Sequence, residues 1–342
     1  MITVFSNEHE GHCGLLEAQG DAFVASAECP ERAIDVIHAI RDAAFGEMRA
    51  PRSFGDEKIT AVHSRAYLKF LEHAHDRWLR IDGASEAVTP NIHPDSRAAG
   101  YPASVVAQAG FHMSDASAPI TGGTWSSACC SAWTAAHAAS LVLAGEPRAY
   151  ALCRPPGHHA FSDMAGGFCY LNNTAIAAQM LRGAYDRVAI LDVDLHHGNG
   201  TQSIFYVRND VLTVSIHADP ERFYPFFWGY AGEQGKDAGL GYNLNLPLPR
   251  GSGDTEFLSA LEVAIERIRA FAPGALVIAL GLDAFEGDPF GGLRVSTPGF
   301  RGIAASIASG LRLPTLIVQE GGYLCDELGE NLNQFLQGLQ DV

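Results

Sequence analysis

Apolar residues in this 342-residue chain gather into short runs that stop at polar, chemistry-bearing groups. The clearest run leads from Arg187 to Gly200. A β-branched stretch too short to span a membrane, bounded by charge and glycine, reads as a buried strand. It ends in Asp192, Asp194, His196, His197 and Asn199, groups costly to bury unless they bind something. Its strand, 188–193, and similar ones predicted at 149–153, 211–216, 275–280 and 315–318 are each preceded by a helical pattern: in chain order 126–143, 173–181, 201–207, 255–271 and 300–311. Nearer the amino terminus the pattern predicts a strand over 2–5 and a helix opening at Pro30 with Ile34, Ile37, Ile40 and Ala44 as its apolar face. Another strand is read over 59–63, followed by a helix over 67–79. From 82 to 124 periodicity fades into Pro, Gly, Ser, Asn and Asp, the mark of a functional loop or an insertion.

Strands alternating with helices predict an α/β fold: a single domain over 1–342, with a parallel sheet flanked by helices on both faces. Five predicted strands run directly into Arg154–His159, Asp194–Asn199, His217–Asp219, Asp283 or Glu320–Tyr323. Ligands of open α/β sheets bind outside the carboxyl ends of the strands, so these endings predict one active-site rim.

Composition narrows the possibilities. A net charge of −16 disfavours nucleic acid and suits a cationic ligand. Seven cysteines without framework spacing read as reduced thiols. The start has neither the basic nor the apolar region of a signal peptide. Residues 126–143 come nearest to a membrane span, but serines, His137 and small residues fit a helix packed inside the protein better. The expectation is a soluble, cytoplasmic protein.

Asp194, His196 and Asp283 are the natural metal ligands. Asp194 and His196, two apart at a strand end, face one side, and Asp283 arrives from another strand. Two carboxylates and an imidazole leave a coordination position free, as catalytic zinc requires, although Fe²⁺ or Co²⁺ suits the same donors. His158 and His159 are candidates for acid–base work, with Asp192 and Asn199 as their orienting partners. Tyr323, after the Gly321-Gly322 turn, is a candidate oxyanion donor.

Taken together, Arg154-Pro-Pro-Gly-His-His-Ala160, Gly167-Phe-Cys-Tyr-Leu-Asn-Asn173, Asp192-Val-Asp-Leu-His-His-Gly-Asn-Gly200, Gly281-Leu-Asp283 with Asp288-Pro289, and Glu320-Gly-Gly-Tyr323 closely resemble the zinc-dependent histone deacetylase family, of the arginase–deacetylase fold. The resemblance implies one zinc ion per chain on Asp194, His196 and Asp283. It implies His159 beside Asn199 as general base and acid, His158 beside Asp192 as electrostatic partner, and Tyr323 as carbonyl clamp. Asn199 stands where many members have Asp, which marks a branch of the family. The resemblance also implies structural potassium at two sites. The inner one would involve Asp192, Asp194, His196, Ser215 and Ile216, and the outer one Phe205, Arg208, Val211 and Tyr242.

Within that family the chain looks most like the bacterial acetylpolyamine amidohydrolases, through the 82–124 insertion and the segment from Tyr224 to Tyr230. That likeness implies a homodimer whose insertion narrows the entrance. Phe168 and Tyr224 would line the tunnel, Gly167 would accept a substrate amide N–H, and Glu17 and Asp115 would attract a distal ammonium. Phe290 fits a core aromatic as well as a rim position. Residues 103–120 carry Asp115 as their one acid, which favours a short acetylated diamine over a highly charged polyamine. The expected activity is removal of acetyl groups from small cationic amines such as acetylputrescine, acetylcadaverine or acetylspermidine, without nucleic-acid or membrane partners. Protein acetyl-lysine deacetylation, a non-catalytic acetyl-amine binding module and an arginase-like two-manganese hydrolase are the alternatives.

Overall fold

The computed structural model describes residues 1–13, 16–19, 22–97 and 100–341. Among them, ten strands are found: β1 (Ile2–Val4), β2 (Leu16–Gln19), β3 (Ala22–Ala25), β4 (Met48–Arg49), β5 (Arg148–Ala151), β6 (Val188–Asp192), β7 (Val211–Ala218), β8 (Asn243–Leu248), β9 (Ala275–Leu280) and β10 (Thr315–Gln319). The α-helices are α1 (Pro30–Asp42), α2 (Glu57–Thr60), α3 (Arg65–Trp78), α4 (Val105–His112), α5 (Thr124–Leu143), α6 (Asn173–Arg182), α7 (Asn199–Phe205), α8 (Asp254–Phe271), α9 (Thr297–Gly310) and α10 (Leu328–Gln340). β2 and β3 pair as an antiparallel ribbon, and the other eight strands form one sheet in the order β4-β1-β5-β10-β9-β6-β7-β8. Every pairing in that sheet is parallel.

Both faces of the sheet are apolar because both are covered. Along β6, Ala189 and Leu191 enter one core with α1, α8, α9 and α10, while Val188 and Ile190 enter a second core with α3, α5 and α6. Side chains of a strand alternate faces, so a run apolar at every position is what a sheet between two helical layers demands.

The five strands predicted to end in functional groups are adjacent in space, β5-β10-β9-β6-β7. Residues 82–124 fold onto the body: Val88 bridges Ile120, and Val105, Ala109, Met113 and Ala118 join the second core. The strand expected at 59–63 is instead a helical turn, with Thr60 and Ala61 donating to the carbonyls of Asp56 and Glu57; a short apolar run fits either state. In α1 the inward face is Ala33, Val36, Ile37 and Ile40, while Ile34 is half-buried and Ala44 exposed. None of the helices among the described residues is long and apolar enough to cross a membrane.

Candidate active site

The strand ends converge on three donors. Asp194, beyond β6, and Asp283, beyond β9, bring their carboxylates to the His196 ring, whose Nδ1 lies 3.2 Å from Asp194 Oδ1 and 3.1 Å from Asp283 Oδ2. One donor atom from each residue lies within 4.8 Å of the others, and all three residues are buried, so they form a possible metal site. Backbone N–H groups hold the carboxylates in place: Gly321 donates to Asp194 Oδ2 at 2.7 Å and Leu195 to Asp283 Oδ1 at 3.0 Å. Glycine is required on both flanks of the cluster. A Cβ on Gly281 would overlap Asp194 Oδ2, and one on Gly321 would overlap Asp283 Oδ2.

Two carboxylates facing one imidazole in a dry pocket are an unbalanced charge set. Burial alone would lower the basicity of His196, but Asp194 and Asp283 raise its pKa to about 9. Burial would raise Asp194, yet His158 and His196 hold it well below the usual carboxylate range. A cation among these donors would take the place of that proton, and metal binding generally releases protons in this way. The donor set therefore fits a divalent ion of the zinc type, with imidazole and carboxylate oxygen as ligands.

The tandem histidines have opposite environments. The His158 Nδ1 lies 3.0 Å from Asp192 Oδ2, and burial, which would lower its pKa, is overridden by Asp194 and Asp192, raising it to about 10. The His159 Nδ1 lies 2.7 Å from Asn199 Oδ1. An amide oxygen only accepts, so Nδ1 carries the proton and Nε2 keeps its lone pair. Burial, then His158 and His196, push the His159 pKa well below its ordinary value. Glu320, at the end of β10, fixes the loop that bears the pair. Its carboxylate accepts from Gly157 N at 2.6 Å, His158 N at 3.0 Å and Thr174 Oγ1 at 2.6 Å.

Tyr323 follows Gly322, whose φ of +116° lies in a region side-chain-bearing residues rarely adopt. Its N–H donates to Asp288 Oδ2 at 3.0 Å, and burial holds its phenol well above the ordinary pKa, protonated at neutral pH. Sequence reasoning did not find Arg32. This buried α1 residue donates to the carbonyls of Gly322 at 2.7 Å and Glu320 at 2.5 Å, and its guanidinium lies 5.0 Å from the Tyr323 ring centroid. Glu28, also buried, pairs with Arg32 at 3.1 Å and with Arg154 at 2.9 Å.

A cavity of about 400 Å³ opens onto this cluster, with His159, His196 and Tyr323 among its lining residues. Gly167, Phe168, Phe223, Tyr224 and Phe290 form its walls. The Phe290 ring stands 4.6 Å from that of Tyr323, which places it on the wall. Asp115 does not line the cavity. Its carboxylate accepts from Tyr224 Oη at 2.7 Å, Ser114 Oγ at 2.9 Å, Ser117 N at 2.9 Å and Gly167 N at 3.3 Å, so it holds the wall from behind. Glu17 belongs to β2 opposite Val24, and its side chain lies outside the described ones.

The residues expected around potassium fall on or beside β6, β7, α7 and β8. Asp192 and Ser215 are register partners on β6 and β7, and Ile216 follows within β7. Phe205 ends α7, Val211 opens β7 and Arg208 lies between them, donating its N–H to Phe205 O at 2.9 Å, while Tyr242, just before β8, accepts from Thr213 N of β7 at 3.1 Å.

The Histone deacetylase domain profile matches residues 26–339. The chain belongs to the histone deacetylase family, and it is a deacetylase of the arginase–deacetylase fold. Acetylpolyamine amidohydrolase 2 of Pseudomonas aeruginosa is 45% identical over 345 residues, covering 100% of this chain and 99% of that protein. The acetylpolyamine amidohydrolase of Burkholderia pseudomallei is 48% identical over 313 residues, covering 91% and 90%. The crystal structure of acetylpolyamine aminohydrolase from Burkholderia pseudomallei superposes with a TM-score of 0.95 at 45% identity, covering 99% of this chain and 98% of that one.

Proposed function

We propose that the chain is a zinc-dependent amidohydrolase that removes acetyl groups from N-acetylated diamines and polyamines. The observation that carries this reading is the cavity that brings His159, His196 and Tyr323 to one end of an aromatic passage. A slim acylated alkyl chain fits such walls, and relatives whose names state acetylpolyamine amidohydrolase activity align along the whole length.

Asp194, His196 and Asp283 would hold one divalent ion. When bound, the ion would polarise the acetyl carbonyl and favour deprotonation of water near neutral pH. The chain's own groups do the rest. His159 Nε2, free because Nδ1 donates to Asn199, accepts the proton of the attacking water. His158, kept charged by Asp192, supplies a fixed positive charge beside it. The Tyr323 hydroxyl donates to the oxyanion as the carbonyl becomes tetrahedral. His159 then returns its proton to the leaving nitrogen, and acetate and the free amine result. The Gly167 carbonyl would orient the substrate amide N–H, and Phe168 and Tyr224 would exclude water around the chain. Asp115 supports Tyr224 from behind, and Glu17 remains a candidate for a distal ammonium.

The reading extends to the assembly. Residues 1–342 would act as one catalytic domain with 82–124 as its insertion, and a homodimer is supported by exposed apolar groups on the insertion and beside the cavity: Ile92, Tyr101, Phe226 and Phe227. Potassium at the two expected sites is supported by the register of Asp192 with Ser215 and by the placement of Phe205, Arg208 and Val211 on the segment that joins α7 to β7. A cytoplasmic location is supported by the cysteines, all free thiols among the described residues.

Acetate release from acetylputrescine, acetylcadaverine and acetylspermidine, assayed with bound metal quantified and acetylated peptides in parallel, tests the reading. Metal-dependent release from the small amines is expected. Release from peptides alone would overturn the substrate assignment, and no release from metal-loaded protein would overturn the activity.

A further inference from the structure

The segment between β7 and β8 supplies one wall of the catalytic cavity and is fastened at a point outside it. Phe223 and Tyr224 line the cavity. The Phe223 ring stacks on that of His196 at 5.3 Å, and the Tyr224 ring meets that of His159 edge-on at 4.9 Å. Further along the segment, Gly229 is gripped on both sides. Its N–H donates to Glu233 Oε2 at 2.9 Å, and its carbonyl lies 2.8 Å from His217 Nε2. A carbonyl only accepts, so Nε2 of His217 carries the proton. A Cβ at Gly229 would come within 2.8 Å of His197 Cγ and 2.9 Å of His217 Nε2, so the chain lies as close as glycine allows. The same Glu233 oxygen accepts from Gln202 Nε2 at 2.6 Å and Asn245 Nδ2 at 3.3 Å. The amide oxygen of buried Gln202 lies 2.9 Å from Nε2 of His197, the neighbour of His196. One amide thus links the loop that carries His196 to the segment that carries the wall. Bonds from neutral N–H groups to an ionised carboxylate are stronger than bonds between neutral groups.

We infer that Glu233 is a positioning residue for the substrate chain: by holding Gly229 it sets Phe223 and Tyr224 against His196 and His159, and so fixes the path of the alkyl chain to the reacting centre. The inference rests on the deacetylase reading and deepens it. Glu233 is not among the residues lining the cavity, so it acts through the wall. Without its carboxylate, the Gly229 N–H and the Gln202 amide lose their shared acceptor. Asp115 still holds the Tyr224 hydroxyl from the other side, so the expected defect is misalignment of the wall, not its loss. A substrate whose chain runs along the wall feels that misalignment. One too short to reach the wall does not.

The test compares two amides with the same reacting centre: N-trifluoroacetylcadaverine, whose chain runs along the wall, and N-methyltrifluoroacetamide, which has no chain. Trifluoroacetate release by the full-length, metal-loaded protein is followed by fluorine NMR, with N-acetylcadaverine as the reference for activity. Glu233→Ala is expected to lower kcat/KM about tenfold for the long amide, mostly through KM, and less than about twofold for the short one. Metal per chain should stay at the parent level. Glu233→Gln places an amide oxygen where Oε2 stands and should bring the long amide back to within about threefold of the parent. Glu233→Asp draws the carboxylate away from Gly229 and should show the same split between long and short amides, which carries the test if the alanine variant does not fold. Equal losses on both amides, a loss in Glu233→Gln as deep as in the other variants, or no loss in any of them would overturn the inference while leaving the deacetylase reading intact. Failure of the parent protein to turn over any of the three amides would instead remove the deacetylase reading, and the inference with it.

Discussion

His158 and His159 adjoin in sequence and share one loop, yet they are driven to opposite protonation states. The cause is the group behind each ring, a carboxylate for His158 and an amide for His159. One ring is thereby a fixed charge and the other a proton acceptor. Tyr323 completes the set, held by Asp288 through its backbone and by Arg32 against its ring face. Replacing Tyr323 by Phe removes the oxyanion donor without touching Asp194, His196 or Asp283. Turnover should fall on the order of 10²–10³-fold, while metal per chain, measured by elemental analysis, stays at the wild-type level. Unchanged turnover would remove the phenol from the mechanism. At this scale much of the site was legible, because Asp194, His196 and Asp283 are groups no apolar strand end tolerates idly. Arg32 and Glu28 were not, since a charged residue near the start of an amphipathic helix reads as solvent-facing until the fold buries it.

The elements place these residues by adjacency. β5, β10, β9, β6 and β7 lie side by side, so loops far apart in sequence open onto one rim. Close approach of β9 to β6 depends on Gly281, where a Cβ would strike the Asp194 carboxylate. Gly281→Ala should displace Asp194 and lower metal occupancy, detectable by elemental analysis, with the far-ultraviolet spectrum of the fold retained; full occupancy would show that the strand end tolerates the methyl. Central strands were readable from their unbroken apolar runs. β8 was not, because its buried side chains include Asn243 and Asn245 while Leu244 and Leu246 are only half-buried, which inverts the expected pattern. Both asparagines bond to Gln202 of α7, a tertiary partner no local window contains. Similarly, α10 acquires its meaning from packing against α9 and α1, with Leu332, Phe335 and Leu336 fully buried.

For the whole molecule, acidity and burial set the response to pH. His63 is fully buried and accepts from the Asn172 N–H at 2.9 Å, and burial lowers its pKa from 6.5 to about 4. Below pH 6.5 the unfolded chain takes up a proton at this histidine that the folded chain refuses until about pH 4. Its contribution to stability is therefore complete above pH 6.5 and is lost as pH falls through that window, approaching about 1.4 kcal/mol per pH unit. His63→Gln keeps an acceptor for Asn172 but cannot titrate, so urea midpoints between pH 7 and pH 4.5 should fall less steeply than in the parent; parallel curves would contradict this assignment.

The central claim is that one divalent ion is shared by Asp194, His196 and Asp283. Anomalous diffraction at the zinc edge from metal-loaded crystals tests it most directly. A single strong peak is expected at coordinating distance from all three side chains, about 2.0–2.2 Å from each donor atom. An active crystal whose peak lies away from those three residues would contradict the account.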